Sequence, residues 1–189
     1  PDENYARELM QLFTIGLVEL KMNGEPKLGS DGRPIETYDN DDIIGLARVY
    51  TGLSEKGTGL CHPDANSNWQ PMQSFEERHS PLEKRFIGQT IPSGTGTAKR
   101  IDIALETFFA HPNIAPFLSR QLIQRFTSSN PDPAFVHRVA RTFEAGAYSA
   151  CSGQTFGRGR RGDLAATLAA ILLDEAFLAP EAGSFETSG

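Results

Sequence analysis

A mainly α-helical, irregular domain of about six helices, with one small β-hairpin and a long central loop, is what this sequence predicts. Three observations carry that reading. Apolar residues recur at helical spacing in six separate stretches. Asp-led starts and Gly or Pro stops punctuate those stretches. Between residues 53 and 96 the periodicity lapses, and Gly, Pro, Ser and Asn take over.

Residues 3–15 read as an amphipathic first helix. Tyr5, Leu9, Leu12 and Phe13 repeat at helical spacing, with Asp2 to cap the start and Gly16 to suit the C-terminal turn. At about 100° per residue, Asn4 and Glu8 fall at the edge of that apolar face. Asn23-Gly24, between apolar stretches at 17–22 and 27–28, signals a hairpin turn, and Ser30-Asp31-Gly32 offers a second turn. Asp39-Asn40-Asp41-Asp42 opens a second helix carrying Ile43, Ile44, Ala47 and Tyr50, and Gly52 ends it. Its acidic first turn suits the positive end of the helix dipole. The stretch 53–96 is expected to be a long irregular excursion with one short helical turn near 81–87.

Helical periodicity then resumes. Ile101, Leu105, Phe108 and Phe109 define a third helix ending at His111-Pro112, and Ile114, Phe117, Leu118, Leu122 and Phe126 define a fourth. Asp132-Pro133 is a capping residue followed by Pro at the first helical position. The fifth helix runs from there through Phe135, Val136, Val139, Ala140 and Phe143 to Gly146. Asp163 caps the sixth, which carries Leu164, Leu168, Ile171 and Leu172. The tail 180–189 is expected to fray, and the whole of 1–189 to form a single domain.

Composition narrows the function classes. With 18 basic and 24 acidic residues the net charge is −6, and no basic run interrupts the acidic balance. Nucleic-acid binding rests on neutralising phosphates, so nucleic acid is not an expected partner. The longest apolar run, 164–173, is interrupted by Thr167 and falls short of the ~20 residues a membrane span needs. The chain begins Pro-Asp-Glu-Asn rather than with Met, so the lack of a signal peptide carries no weight. Cys61 and Cys151 lie far apart in loop-like segments, and both a bridge and two free thiols stay open.

Several motifs invite chemistry and do not hold it. The glycines of 157–162 have dinucleotide-fingerprint spacing, but no buried strand precedes them in a βαβ unit. Arg161-Gly162-Asp163 spells an integrin tripeptide, yet Asp163 has a capping role that explains it. The stretch 94–99 lacks phosphate-loop spacing, and the calcium-like run from Asp64 puts Trp69 where Gly belongs. The four His show no metal-ligand spacing, so neither metal nor cofactor is expected.

One resemblance does run the length of the chain. Asn4-Tyr5-Ala6-Arg7-Glu8-Leu9 with Leu12-Phe13-Thr14-Ile15-Gly16 resembles the opening signature of the bacterial domain of unknown function 1800. Tyr38, Asp42-Ile43, Leu46-Ala47-Arg48 and Thr51-Gly52-Leu53 are similar to its second helix. His79, Lys84 and Phe86-Ile87-Gly88 resemble its H-D…K-x-x-L-G stretch, with Ser80 in place of the Asp, and Leu53 replaces the family Trp. His111-Pro112 with Phe117-Leu118 and Gln121-Leu122, and Arg161-Gly162-Asp163-Leu164 with Ala170-Ile171-Leu172-Leu173, are similar to its later helices. The resemblance implies the C-terminal part of a longer helical domain. It also implies export to a periplasmic or surface setting, beside an exported partner protein.

Two functions follow as expectations: an exported helical module that binds or scaffolds an envelope partner, or a hydrolase acting on an envelope or extracellular polymer. The second would draw on a polar cluster in which Asn4 and Glu8, at the start of the first helix, meet His79 or Lys84 from the central loop. A carboxylate at the edge of an apolar face is partly desolvated and needs a donor or cation, and such a group could do acid–base work.

Overall fold

The first helix starts as the sequence predicts and then changes pitch. In the computed structural model, which describes residues 3–55 and 70–178, α1 (Glu3–Glu8) runs on into a π-helical stretch, Leu9–Thr14. Thr14 Oγ1 donates to Leu9 O at 2.8 Å and Ile15 N–H to Met10 O at 3.1 Å, each reaching five residues back. The wider turn shifts the phase of the side chains that follow it. Ala6 and Met10, four residues apart, line the core, and the wide turn brings Ile15 in after them, whereas Leu12 and Phe13, predicted to be inside, are exposed. Tyr5 is half exposed, with its ring edge-on to Tyr50 at 5.2 Å between centroids.

The chain divides into two compact units, Pro1–Leu17 with Glu36–His111, and Val18–Ile35 with Pro112–Gly189. In the first, the π-helical stretch is followed by α2 (Asn40–Val49), β1 (Leu53–Ser54), β2 (Gln73–Ser74), β3 (Lys84–Phe86), β4 (Gln89–Ile91) and α3 (Thr97–Ala110). One core joins Ala6, Met10 and Ile15 to Ile43, Leu46, Val49, Phe86, Ile91 and Phe108. The acidic start of α2 is a reciprocal capping box between Asp39 and Asp42. Asp42 also accepts from the Ile87 N–H. That bond helps hold the β3–β4 turn, where Ile87 and Gly88 take φ of 47° and 70°. Positive φ at both central positions is the two-residue hairpin geometry. The helical turn predicted near 81–87 is thus a strand and hairpin, which the sequence hid by placing a β-branched residue where Asn or Gly is usual.

The second unit holds α4 (Ile114–Phe126), α5 (Pro133–Ala145), β5 (Ala147–Ser149), β6 (Thr155–Gly157), α6 (Leu164–Leu172) and a short α7 (Glu175–Leu178). Helix α5 matches its prediction throughout: Asp132 accepts from Ala134 N–H at 2.7 Å, Gly146 closes with φ 66°, and all five predicted core residues are buried. Asn113 fastens the preceding turns to α4, accepting from Leu20 N–H and donating to Val18 O, both at 2.7 Å. The predicted hairpin around Asn23-Gly24 is short and irregular: Lys27 N–H donates to Glu19 O at 2.7 Å and Lys21 N–H to Glu25 O at 2.8 Å around the Leu20–Pro26 bridge, and Leu28–Pro34 makes a second bridge. A Pro in each bridge has no N–H to extend the ladder. The described residues also carry three two-stranded antiparallel sheets, β1–β2, β3–β4 and β5–β6.

Small residues, more than large ones, decide which helix faces turn inward. In α6 the buried side is Ala166, Thr167, Ala169, Ala170 and Ile171, while Leu164 and Leu172 are exposed. In α3 it is Thr97, Arg100, Ala104 and Phe108, while Leu105 and Phe109 are exposed. Phe126 of α4 is exposed too. Among the described residues no helix is long and apolar enough to cross a membrane. Cys151 is an exposed free thiol. Cys61, the calcium-like run from Asp64, and the 180–189 tail lie outside the described residues.

Gly45, inside α2, gives a direct test of this packing. A Cβ built there would lie 1.7 Å from the Arg85 carbonyl oxygen of β3. Gly45→Ala should therefore destabilise the protein by about 1–3 kcal/mol through overpacking, although Ala favours helix by about 1 kcal/mol over Gly. Urea unfolding that shows equal or higher stability for the variant would disprove the close approach.

Candidate functional site

Helix α3 brings a cation to a core position. Thr97, Arg100, Ala104 and Phe108 share one helical face, so the repeat that buries Phe108 also buries Arg100. The guanidinium has no exposed surface and is solvated by protein. Its Nη2 donates to Thr51 O and Thr97 Oγ1, and its Nη1 meets His79 Nε2, each at 2.8 Å. Nε is buried without a hydrogen-bond partner. Burial lowers the Arg100 pKa, opposed by the charge of Glu76.

Arginine can only donate, so His79 Nε2 must be the acceptor and carries no proton. The network therefore assigns the proton to Nδ1, which lies 3.3 Å from Thr51 Oγ1. Thr51 Oγ1 in turn donates to Arg48 O at 2.7 Å and accepts the Ser80 N–H at 3.0 Å. Glu76 completes the ring of polar groups, accepting from Thr97 N–H at 3.2 Å and Ser74 Oγ at 2.9 Å. Bonds from Thr97 and then Ser74 hold its carboxyl below the usual range.

Lys84, on β3, is a second buried cation. Its Nζ donates to Ser80 O at 2.7 Å and Leu82 O at 2.6 Å. Burial, and then the charge of Arg48, lower its pKa.

Of the four residues the sequence proposes as a cluster, His79 and Lys84 are adjacent links of this network, joined through Ser80. Neither is bonded to Asn4 or Glu8; their partners are Thr51, Arg100, Ser80 and Leu82. Asn4 is exposed on α1, and Glu8 is half-buried at its end. The sequence reading missed Arg100 and Thr51. The available signal was an Arg in register with Ala104 and Phe108, on a face where a surface cation has no place.

The remaining motifs are accounted for structurally. Arg161 forms a two-pronged pair with Glu144 at 2.6 and 2.8 Å, and Asp163 accepts from Ala166 N–H and Arg158 N–H, both at 3.0 Å. The strand before the 157–162 glycines, β6, pairs antiparallel with β5, which is not a βαβ unit. Among the described residues no three His, Cys, Asp or Glu side chains are grouped to hold a metal ion.

Thr51 is the most economical probe of the network, since its one hydroxyl serves Arg48 O, Ser80 N–H and His79. Thr51→Val keeps the shape and removes all three links, leaving the partly buried His79 ring and Ser80 N–H unpaired there. A loss of about 1–3 kcal/mol is expected in chemical denaturation. A change below about 0.5 kcal/mol, typical of an indifferent surface site, would show that the network does not hold the unit together.

No curated protein and no solved structure matches this chain. A family model does, that of "Protein of unknown function (DUF1800)", over residues 1–187. With essentially the whole sequence matched, the chain belongs to the DUF1800 family.

Proposed function

We propose that this chain is an exported helical module that docks a partner protein of the cell envelope through an apolar face and performs no chemistry of its own. One observation carries the reading. The π-helical stretch and the turn after it leave Leu12, Phe13 and Leu17 exposed at 47%, 69% and 54%. Large apolar side chains close together on a surface are what a partner covers. Single π-turns inside helices also recur at functional positions, because the widened turn sacrifices regular hydrogen bonding. The extracytoplasmic setting is supported by the family resemblance set out above.

A hydrolase acting on an envelope polymer would need Asn4, Glu8, His79 and Lys84 to converge on a substrate. The hydrogen bonds of His79 and Lys84 to their neighbours weigh towards docking instead.

The test is a pull-down of the full-length protein with the product of its genomic neighbour, comparing wild type with Phe13→Asp. Wild type should retain the partner. The variant should bind at least ~30-fold more weakly, the loss of a 2 kcal/mol anchor, with unchanged circular dichroism and melting temperature. Fractionation should place the protein outside the cytoplasm. Absence of any complex, together with a hydrolytic activity that Glu8→Gln abolishes at unchanged melting temperature, would replace docking with catalysis.

A further inference from the structure

We propose that His79 is a pH-operated clasp: as a neutral imidazole it ties residues 75–80 to the end of α2 and the start of α3, and on protonation it loosens that segment. The geometry fixes the sign. His79 Nε2 accepts from Arg100 Nη1 at 2.8 Å, and the guanidinium has no second role as an acceptor. A proton added at Nε2 would set donor against donor and cation against cation, in a place where Arg100 has no water to retreat into.

Among the described residues, the charge of Glu76 on Arg100 opposes part of that repulsion. Arg100 faces the ring from α3, Arg48 lies at the end of α2, and Lys84 approaches from β3 through the Ser80 carbonyl. On the same segment stand Glu76, Glu77 and Arg78. Glu76 is bonded to Ser74 and Thr97, and Glu77 lies 4.0 Å from Arg78. His79 itself is half-buried, so a proton can reach the ring without unfolding the unit. What the clasp holds is well defined. Phe75 N–H donates to Gly52 O at 2.7 Å and Ser80 N–H to Thr51 Oγ1 at 3.0 Å, on either side of the short 3₁₀ turn Glu76–Arg78.

The linkage runs one way. The closed segment favours the neutral ring, so proton uptake favours the opened one, whose histidine approaches the ordinary ~6.5. The closed form is fully stabilised above about pH 6.5 and loses that stabilisation as pH falls below it.

The experiment uses the full chain and two readouts, histidine ring ¹⁵N resonances and native-state amide exchange. At about pH 7.5 the His79 ring should be the Nδ1–H tautomer, with a titration midpoint below ~6.5. Between about pH 7.5 and pH 5, protection of the Phe75 and Ser80 amides, corrected for intrinsic exchange, should fall by about tenfold or more. The Val139 amide inside α5 should not follow. His79→Gln keeps a carbonyl acceptor for Arg100 and removes the titration, so its protection should be flat over the same range. A midpoint at or above ~6.5, an Nε2–H tautomer, unchanged protection in wild type, or the same pH response in His79→Gln would each overturn the clasp. If His79→Gln fails to fold, the wild-type ring resonances decide the matter alone.

Discussion

A guanidinium removed from water sets the terms for the first unit. Burying a cation without solvation is prohibitively costly, so the protein must supply the donors' partners itself. Arg100 draws them from three places: the carbonyl of Thr51 just after α2, the hydroxyl of Thr97 one turn back on α3, and the ring of His79 at the end of the 3₁₀ turn. The planar fork of arginine suits this task, because its donors point in fixed directions and reach several elements at once. Lysine, used at position 84, has a compact head, and its two bonds both go to carbonyls of the adjacent loop. The two cations divide the work accordingly. Lys84 shapes the approach to β3, and Arg100 joins segments distant in sequence.

The parts of this fold that were legible in the sequence are those governed by local rules. Asp39 and Asp42, Asp132 with Pro133, and Asp163 all announce helix starts, and each makes its backbone bonds as a cap does. Capping depends on a side chain and the next two or three N–H groups, so neighbours in sequence suffice to specify it. Helix α5 was legible for a further reason: its large apolar residues are also its buried ones. In α3 and α6 the two sets differ. Small residues let neighbouring backbone come close, as at Gly157, where an added Cβ would lie 2.7 Å from the Ala166 Cβ. Periodicity weighted by side-chain size therefore points to the wrong face. The π-helical turn and the Ile87-Gly88 hairpin turn were hidden because each depends on tertiary context, from the core beneath α1 and from Asp42 on α2.

The site was legible by half. His79 and Lys84 stood out as polar residues in the irregular central stretch, and both take part in the buried network. The partners assigned to them from sequence, Asn4 and Glu8, are not those they bond. Helical phase places a residue on its own helix, but it does not say which loop crosses that face. Arg100 escaped notice for the opposite reason. Charge alone marks a residue for the surface, and only its register with Ala104 and Phe108 marks it for the core.

The chemistry open to the network follows from how its valences are spent. A general acid or base must present a proton or a lone pair to a substrate atom. His79 uses one ring nitrogen to receive Arg100 and turns the other towards Thr51, whose oxygen already serves Arg48 and Ser80. Glu76 spends an oxygen on Ser74 and the backbone of Thr97. His79 and Thr51 are thereby bonded to one another and to Arg100 and Ser80. On the first helix the situation is reversed. The π-helical stretch buries flexible Met10 and leaves the Phe13 ring 69% exposed. The hydrophobic effect disfavours leaving so large an apolar ring in water.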